Sequence, residues 1–277
     1  MNRYFLPAIM GVLCWLSFFS GIIRGDVDKN KYLALAKETQ FDCIGKISKG
    51  KKFIGSCVLI SNKHILTSAH NFVDNDQVGN ITEYYFEFAG KTYKAKKVIV
   101  YPTYIDPLTR KKCDIAIVEL TELITGIEPA HAINTQDEIH SPVTGVGFGT
   151  SGTANDPGNL KSIQEKIAGE NVVDSLGGFK LNGLFTMMYC DFDSPTDITC
   201  NKSGSATPQP LEYISSGGDS GGGVFRKKNN KWELIGICSG VSFDISQFEK
   251  TGYYGQIMYL TRVSVFNDWI NTVLKMQ

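Results

Sequence analysis

The sequence has no excess of charge of either sign and very little histidine. Its 277 residues include 28 Lys plus Arg, 28 Asp plus Glu and only four His. A balanced chain lacks the basic surface that nucleic acid requires, so no nucleic-acid partner is expected. Four scattered histidines without a close carboxylate cluster also argue against a zinc site. No metal and no cofactor are therefore expected.

Internal repeats, heptads and low-complexity tracts are absent as well. The chain is instead rich in glycine, tyrosine and phenylalanine, and short apolar runs such as "FIGSCVLI", "YYFEFAG" and "WELIGICSG" alternate with turn residues. Runs of this length between turns predict an all-β protein. Only the last stretch has helical spacing, which predicts a C-terminal helix over about 264–275 with Ser264 as a possible N-cap.

An uncharged run of residues 4–23 lies between Arg3 and Arg24. A positive start, an apolar run and small residues at its end indicate an export signal over residues 1–21. The run is also long enough to be a retained membrane anchor, and this alternative stays open. Either outcome predicts a secreted or extracytoplasmic protein formed by residues 22–277, with membrane contact only if the segment is retained.

Six cysteines follow that run, an even number that favours disulfides in an exported chain. Six cysteines allow 15 pairings, and the sequence alone does not choose among them. The short separations within "CIGKISKGKKFIGSC" and "CDFDSPTDITC" suggest the pairs Cys43–Cys57 and Cys190–Cys200. Free buried thiols are the alternative.

Three polar positions stand out against the strand pattern. They are His70 in "HILTSAHNF", Asp114 in "KKCDIAIVEL" and Ser220 in "GGDSGGGVF". Each has an ordinary explanation alone: a hydrogen-bonded histidine, a strand-end aspartate and a glycine-rich turn. Together they form a chemical set, because a serine hydroxyl becomes a nucleophile when a histidine takes its proton and a buried carboxylate orients that histidine.

The chain resembles the trypsin/chymotrypsin family of serine proteases. The resemblance lies in "TSAH", "DIAI" and "GDSGG", which occur in the family's order, and continues in "GICSG" and the closing "RVSVFNDWI". The strings "IRGD", "VTGVGFG", "NVVD", "DFDSP" and "LEY" are similar to those of a divergent group of secreted trypsin-like proteases. The resemblance covers nearly all of residues 22–272.

The resemblance implies a fold of two packed six-stranded antiparallel β-barrels followed by a C-terminal helix. The first barrel would span about 41–125 and the second about 135–262. The active site would lie in the cleft between them.

The resemblance also implies a secreted serine endopeptidase, acting as a monomer on protein or peptide substrates. Ser220 would attack the scissile carbonyl, His70 would serve as general base and then acid, and Asp114 would orient His70. The N–H groups of Gly218 and Ser220 would form the oxyanion hole. Two alternatives remain: an inactive binding protein on the same fold, and an esterase that uses the same triad.

The implied substrate-binding positions are Ile214, Ser215, Ser239, Gly240 and Val241. In the family, the residue six positions before the nucleophile lies at the base of the primary specificity pocket. Here that residue is Ile214, which predicts cleavage after small or medium uncharged residues. The family's serine in the late strand hydrogen-bonds the triad aspartate, a role that falls to Ser239.

The chain departs from the family's usual cysteine pattern. Asn71 and Ser216 replace two cysteines that usually form disulfides beside the histidine and before the nucleophile. Family members commonly pair a new N-terminal amine with the aspartate before the nucleophile, here Asp219. The "IIRG" string at residues 22–25 is similar to such a start, and it stays open whether an amine or another group is the partner of Asp219.

Overall fold

The computed structural model describes residues 21–74, 77–104, 113–154, 156, 164–242 and 252–276. The expected export signal or anchor lies outside these ranges except for Gly21. Within them the chain is mostly β, as predicted. None of the helices in these ranges has the length and hydropathy needed to cross a membrane.

The described strands, in chain order, are β1 (Ile22–Ile23), β2 (Ile44–Lys49), β3 (Lys52–Ser61), β4 (His64–Thr67), β5 (Val73–Asp74), β6 (Gln77–Val78), β7 (Tyr84–Phe88), β8 (Lys91–Val100), β9 (Ala116–Leu120), β10 (Pro142–Gly147), β11 (Gly152–Thr153), β12 (Ile167–Val172), β13 (Ser175–Leu181), β14 (Leu184–Asp191), β15 (Tyr213–Ile214), β16 (Gly223–Lys228), β17 (Lys231–Val241) and β18 (Ile257–Arg262).

The first barrel is closed and has six strands in the order β2-β3-β4-β9-β8-β7. Strand β7 shows how the sequence specifies its inner face. Tyr84, Phe86 and Phe88 are buried, while the residues between them are half-buried. This period of two matches the pleat of a strand. Closure leaves the barrel without an unpaired edge.

The second sheet has seven antiparallel strands in the order β12-β10-β16-β17-β18-β14-β13. It thus has one strand more than the six expected, and it ends in the hairpin of β14 and β13. Asn182 and Gly183 join these strands with φ values of 51° and 84°. An Asn-Gly pair with positive φ at both residues favours a tight two-residue hairpin.

A small sheet in the order β11-β1-β15 lies beside the two larger ones. Its middle strand is Ile22–Ile23, which pairs in parallel with β11 and antiparallel with β15. Both isoleucines are almost completely buried. The start of the described chain is therefore held next to residues that precede the nucleophile loop. A fourth sheet contains only β5 and β6.

The predicted C-terminal helix is present as α2 (Asn267–Lys275), after a 3-10 turn over Val263–Phe266. The proposed N-cap was wrong. Ser264 lies in the preceding turn, and its hydroxyl donates to the buried Glu138 carboxylate. That carboxylate also forms an ion pair with Arg262, so Ser264 completes a buried polar cluster.

A second helix, α1 (Lys29–Ala36), was not predicted. Asp28 caps it by accepting a hydrogen bond from the Asn30 N–H at 2.9 Å. Only Tyr32 and Ala36 in this helix are buried. Two buried positions in eight residues give too weak a helical pattern to detect in the sequence.

The expected pair Cys43–Cys57 is not formed, and both residues are free buried thiols. The register of β2 with β3 places Gly45 opposite Cys57, whereas the Cys43 carbonyl accepts from the Leu59 N–H at 2.8 Å. The hairpin was predicted correctly, but its register separates the two thiols by two positions. Burial raises the pKa of Cys43 to about 12, as expected for an inert packing residue.

The expected pair Cys190–Cys200 is not formed either. Cys190 is buried in the second sheet, whereas the Cys200 thiol lies on a short 3-10 turn and donates to Asp197. No disulfide joins any two cysteines in the described ranges, which agrees with the alternative of structural thiols.

Candidate active site

Asp114 lies two residues before β9 and is only 3% exposed. Its Oδ1 accepts the His70 backbone N–H at 2.9 Å, and its Oδ2 lies 2.7 Å from His70 Nδ1. The Ser239 hydroxyl donates to the same Oδ2 at 2.6 Å, and Thr261 Oγ1 donates to the Asp114 carbonyl at 2.9 Å. Because Ser239 and Thr261 belong to β17 and β18, Asp114 joins the barrel to the second sheet.

The pKa values of His70 and Asp114 shift apart. Burial lowers the pKa of His70, but the charge and hydrogen bond of Asp114 outweigh burial and raise this pKa above 6.5. Burial raises the pKa of Asp114, but the charge and hydrogen bonds of His70, with the Ser239 hydroxyl, hold it below 3.8. An ionised Asp114 keeps the proton on Nδ1 and leaves Nε2 as the basic atom.

The imidazole of His70 is accessible although its carboxylate partner is not. A 3-10 turn over Ala69–Asn71 carries it just beyond the end of β4. Its side chain is 36% exposed, against 4% for Asp114. The Nε2 edge can therefore meet a substrate while the other edge stays bound to the carboxylate.

The glycines around Ser220 are required by geometry. Gly218 and Gly221 have φ values of 96° and 87°, in the region that side chains disfavour. A Cβ on Gly218 would lie 2.8 Å from the Phe53 ring, and one on Gly221 would overlap Thr67 Oγ1. The loop thus combines positive φ angles with close approach to the first barrel. A chance glycine-rich turn would require neither feature.

The backbone N–H groups of this loop fall into two sets. Those of Asp219, Gly221 and Gly222 donate to backbone carbonyls at 2.7–3.1 Å. Those of Gly218 and Ser220 donate to no group in the described part of the chain. Two unused N–H groups that flank Asp219 are suited to binding an oxyanion.

Ser220 lies next to the turn that carries His70. Its carbonyl accepts from the Ser56 N–H at 2.8 Å and from Asn71 Nδ2 at 3.2 Å. The Ser220 hydroxyl makes no hydrogen bond to His70 within the described ranges. Such contacts are often long in proteases without substrate and tighten when the substrate binds.

Several hydrogen bonds that position the site could not be predicted from the sequence. Ser56 Oγ donates to the Gly218 carbonyl at 2.9 Å, and Ser68 Oγ donates to the Cys238 carbonyl at 2.7 Å. Asn71 stands where relatives have a cysteine, and its amide bonds the Ser220 carbonyl instead. A single hydroxyl or amide has no motif, so only its distant partner reveals its role.

Two of the predicted substrate-binding residues precede the loop. Ile214 is completely buried and pairs with Ile22 in the small sheet. Ser215 is also buried, its hydroxyl lies near the Cys238 thiol, and it has no well-formed hydrogen bond. Neither residue brings a charge to this region.

The other predicted positions lie at the end of β17. Ser239 contacts Asp114, as the resemblance implied. Gly240 pairs with Tyr259 and Val241 with Met258 in β18. Ile214 thus lies on β15, Ser215 directly follows it, and the other three positions lie on β17.

Asp219 is 3% exposed, and its carboxylate has backbone and phenol donors. Oδ1 accepts from the Gly149 N–H at 3.1 Å, and Oδ2 accepts from the Ser216 N–H at 3.1 Å and Tyr213 Oη at 3.0 Å. The Gly21 N–H is also close enough to lower the pKa of this carboxyl. The N-terminal segment therefore reaches Asp219 through Gly21, one residue before the "IIRG" string.

No cluster of three or more metal-ligating side chains occurs in the ranges that the structure describes.

Two packed β units with a serine loop and a His–Asp pair at their junction form the architecture of chymotrypsin-like serine proteases. The chain matches the family described as Trypsin over residues 34–270, and it belongs to that family. Among solved structures it is similar to neuropsin, a serine protease expressed in the limbic system of mouse brain. The TM-score is 0.61 at 16% identity, over 86% of this chain and 97% of that chain. At this identity the likeness shows the fold.

Proposed function

We propose that this protein is a serine endopeptidase that acts through an acyl-enzyme on Ser220. One observation supports the proposal most directly. The loop with the unused N–H groups of Gly218 and Ser220 contacts the turn that carries His70, and His70 is bound to Asp114. This arrangement supplies a nucleophile, a base and an oxyanion site together.

In the proposed reaction, Ser220 Oγ attacks the carbonyl carbon of the scissile bond while His70 Nε2 takes the hydroxyl proton. The N–H groups of Gly218 and Ser220 stabilise the negative oxygen of the tetrahedral intermediate. His70 then gives the proton to the leaving amine as the C–N bond breaks, which leaves an ester on Ser220. Water, deprotonated by His70, then attacks the ester carbon, and as the C–Oγ bond breaks His70 returns the proton to Ser220 Oγ. Asp114 stays ionised throughout and stabilises the imidazolium.

A fluorophosphonate probe tests this proposal directly. The purified protein is treated with the probe, and its turnover of a protein substrate and of a simple ester is measured separately. We expect covalent labelling at Ser220 and turnover of both substrates. Absence of labelling would support an inactive binding protein, whereas ester turnover alone would support an esterase.

We also propose that the enzyme works outside the cytoplasm, as a monomer. The uncharged run of residues 4–23 supports export. The absence of a charge excess supports a protein or peptide substrate rather than nucleic acid.

We expect cleavage after small or medium uncharged residues. Ile214 and Ser215 offer no counter-charge, and a buried ammonium or carboxylate of a substrate would lose its hydration without compensation. Profiling with a mixed peptide library measures this preference. Dominant cleavage after lysine, arginine, aspartate or glutamate would contradict it.

Val241 should limit the size of the accepted side chain. In Val241→Gly, we expect kcat/KM for a phenylalanine substrate to rise about tenfold relative to an alanine substrate, since a methylene contributes about 1–3 kcal/mol in such pockets. Val78→Gly is the matched control, because Val78 is exposed on β6. An unchanged Phe/Ala ratio in Val241→Gly would place the pocket elsewhere.

We further propose that the mature chain begins at Gly21, one residue before the boundary expected from the sequence, so that its amine lies next to Asp219. Burial raises the pKa of Asp219 to about 6, and the donors around it are neutral. A cationic amine at the position of the Gly21 N–H would offset the cost of that buried charge.

A chain that starts with a free Gly21 amine should have a kcat about ten- to a hundredfold above that of the same chain acetylated at Gly21. Acetylation is a close control because it removes the charge and keeps the N–H. Mass spectrometry of the naturally processed protein gives the true N-terminus. Equal kcat for the two forms would show that Asp219 needs no cation.

A further inference from the structure

The peptide groups on either side of Asp219 carry the two unused N–H groups of the proposed oxyanion hole. Asp219 lies between these two peptide groups. Anchoring its carboxylate therefore restrains the backbone that sets the directions of both N–H groups. The Asp219 N–H is already used by the Ser216 carbonyl, which makes the turn tight. A group that fixes this carboxylate therefore fixes the oxyanion hole.

Tyr213 is the side chain that donates to this carboxylate, with Oη 3.0 Å from Oδ2. It is 2% exposed. Its ring occupies a space that glycines leave open. A Cβ on Gly145 would lie 2.9 Å from the ring, and a Cβ on Gly21 or Gly169 would overlap it.

The backbone of Tyr213 is held as firmly as its ring. It forms part of β15, which pairs with Ile22–Ile23, and its carbonyl accepts from Asn171 Nδ2 at 2.9 Å. A Cβ on Gly147 would overlap the carboxylate of Asp219 itself. Residues from the strings "VTGVGFG", "NVVD" and "LEY" thus contact Tyr213 or Asp219 or contain one of them, although none of these strings contains a triad residue.

We propose that Tyr213 is a positioning residue that holds Asp219 and thereby keeps the Gly218 and Ser220 N–H groups aimed at the oxyanion. The proposal rests on the proposed peptidase function, which it deepens. It also accounts for Ser216, which stands where relatives have a disulfide-forming cysteine. Here the loop is anchored by a hydrogen bond from a buried tyrosine.

The electrostatics around Asp219 explain why a phenol is effective. In the part of the chain that the structure describes, the titratable side chains near Asp219 are Tyr213 and the thiol of Cys238. Burial raises the pKa of Asp219 to about 6, while the donors at Ser216, Gly149, Tyr213 and Gly21 lower it. The carboxyl on its own thus favours the folded state below pH 3.8 and loses that contribution as the pH rises through about 6. The Tyr213 hydroxyl opposes this loss, because it binds the ionised form best.

Tyr213→Phe tests the proposal, because phenylalanine keeps the ring and removes only the donor. The matched control is Tyr32→Phe. Tyr32 is also completely buried, and its hydroxyl donates to the neighbouring Glu212 carbonyl at 3.1 Å, away from Asp219. We expect Tyr213→Phe to lower kcat and the probe-labelling rate by about ten- to a hundredfold with little change in KM. Tyr32→Phe should keep the parental kcat.

A second measurement does not depend on activity. The urea midpoint of each variant is compared with the parent between pH 5 and pH 8. In the chain that keeps the residues before Gly21, where the Gly21 N–H is a neutral amide, the loss of midpoint for Tyr213→Phe should be largest above pH 7 and shrink towards pH 5, where Asp219 is protonated. For Tyr32→Phe, any loss should be the same at each pH, because its acceptor is a carbonyl.

The outcomes separate the two proposals. A parent that shows neither labelling nor turnover, with the pH-dependent midpoint loss intact, would overturn the peptidase function and leave the Tyr213–Asp219 bond established. An active parent with equal kcat in both variants would overturn the role of Tyr213. Failure of Tyr213→Phe alone to fold would also contradict a positioning role, since it would show a general structural one.

Discussion

Ser220→Ala is expected to lower kcat by about 10⁴–10⁶-fold while the protein remains folded. The side chain is partly exposed, and its hydroxyl has no structural hydrogen bond in the described ranges, so its removal should leave the loop in place. The Ser220 carbonyl keeps its bonds to Ser56 and Asn71 in this variant. Turnover of a protein substrate and labelling by the fluorophosphonate probe measure the effect.

Ser194→Ala is the matched control, because Ser194 is a buried serine outside the loop. It should keep parental turnover and labelling. Circular dichroism and thermal melting establish that both variants are folded. Protein cleavage by Ser220→Ala at close to the parental rate would end the hypothesis of a Ser220 acyl-enzyme.

Asp114→Asn is expected to lower kcat by about 10⁴-fold, because an amide in place of the carboxylate favours the wrong tautomer of His70. The pH profile should change as well. In the parent, the pKa of His70 is raised above 6.5 by Asp114, so activity should rise with pH through a value above 6.5. Without that charge, burial lowers the pKa of His70, and the acidic limb should move to lower pH.

The pH dependence of stability follows from the same pair. The raised pKa of His70 stabilises the fold below pH 6.5, and this contribution is lost as the pH rises through the folded value. The lowered pKa of Asp114 stabilises the fold above pH 3.8, and this contribution is lost as the pH falls through the folded value. Loss of Asp114 should therefore remove both contributions.

Asp137→Asn is the control for Asp114→Asn, since Asp137 also binds cationic partners, Arg226 and Lys228, but is half-exposed. It should change neither kcat nor the acidic limb. An Asp114→Asn variant with the parental pH profile would show that His70 is not oriented by this carboxylate in the reaction.

Much of the fold could be predicted because its signals are local. The alternation of Tyr84, Phe86 and Phe88 fixed the inner face of a strand, and the runs between turns predicted a mostly β chain. The features that were not predicted either have weak local patterns or depend on how the strands pair. Helix α1 buries only two residues, and the pairing of Cys43 with Cys57 failed because the strands pair Gly45 with Cys57.

The sequence by itself determined the candidate chemistry. The glycines of "GDSGG" are a local signal, because Gly218 and Gly221 have positive φ and glycine is the residue that adopts such angles readily. The types and chain order of His70, Asp114 and Ser220 could also be recognised, because each residue lies in a short characteristic string.

The tertiary structure alone decided how that chemistry is supported. The bonds of Ser56 to Gly218 and of Asn71 to Ser220 join residues far apart in the chain, and the bond of Tyr213 to Asp219 spans six residues. Each is a single hydrogen bond that the string around its donor does not predict. Its partner is set by strand register and by the space that glycines leave for buried rings. These are properties of the packed chain, and no short segment of sequence contains them.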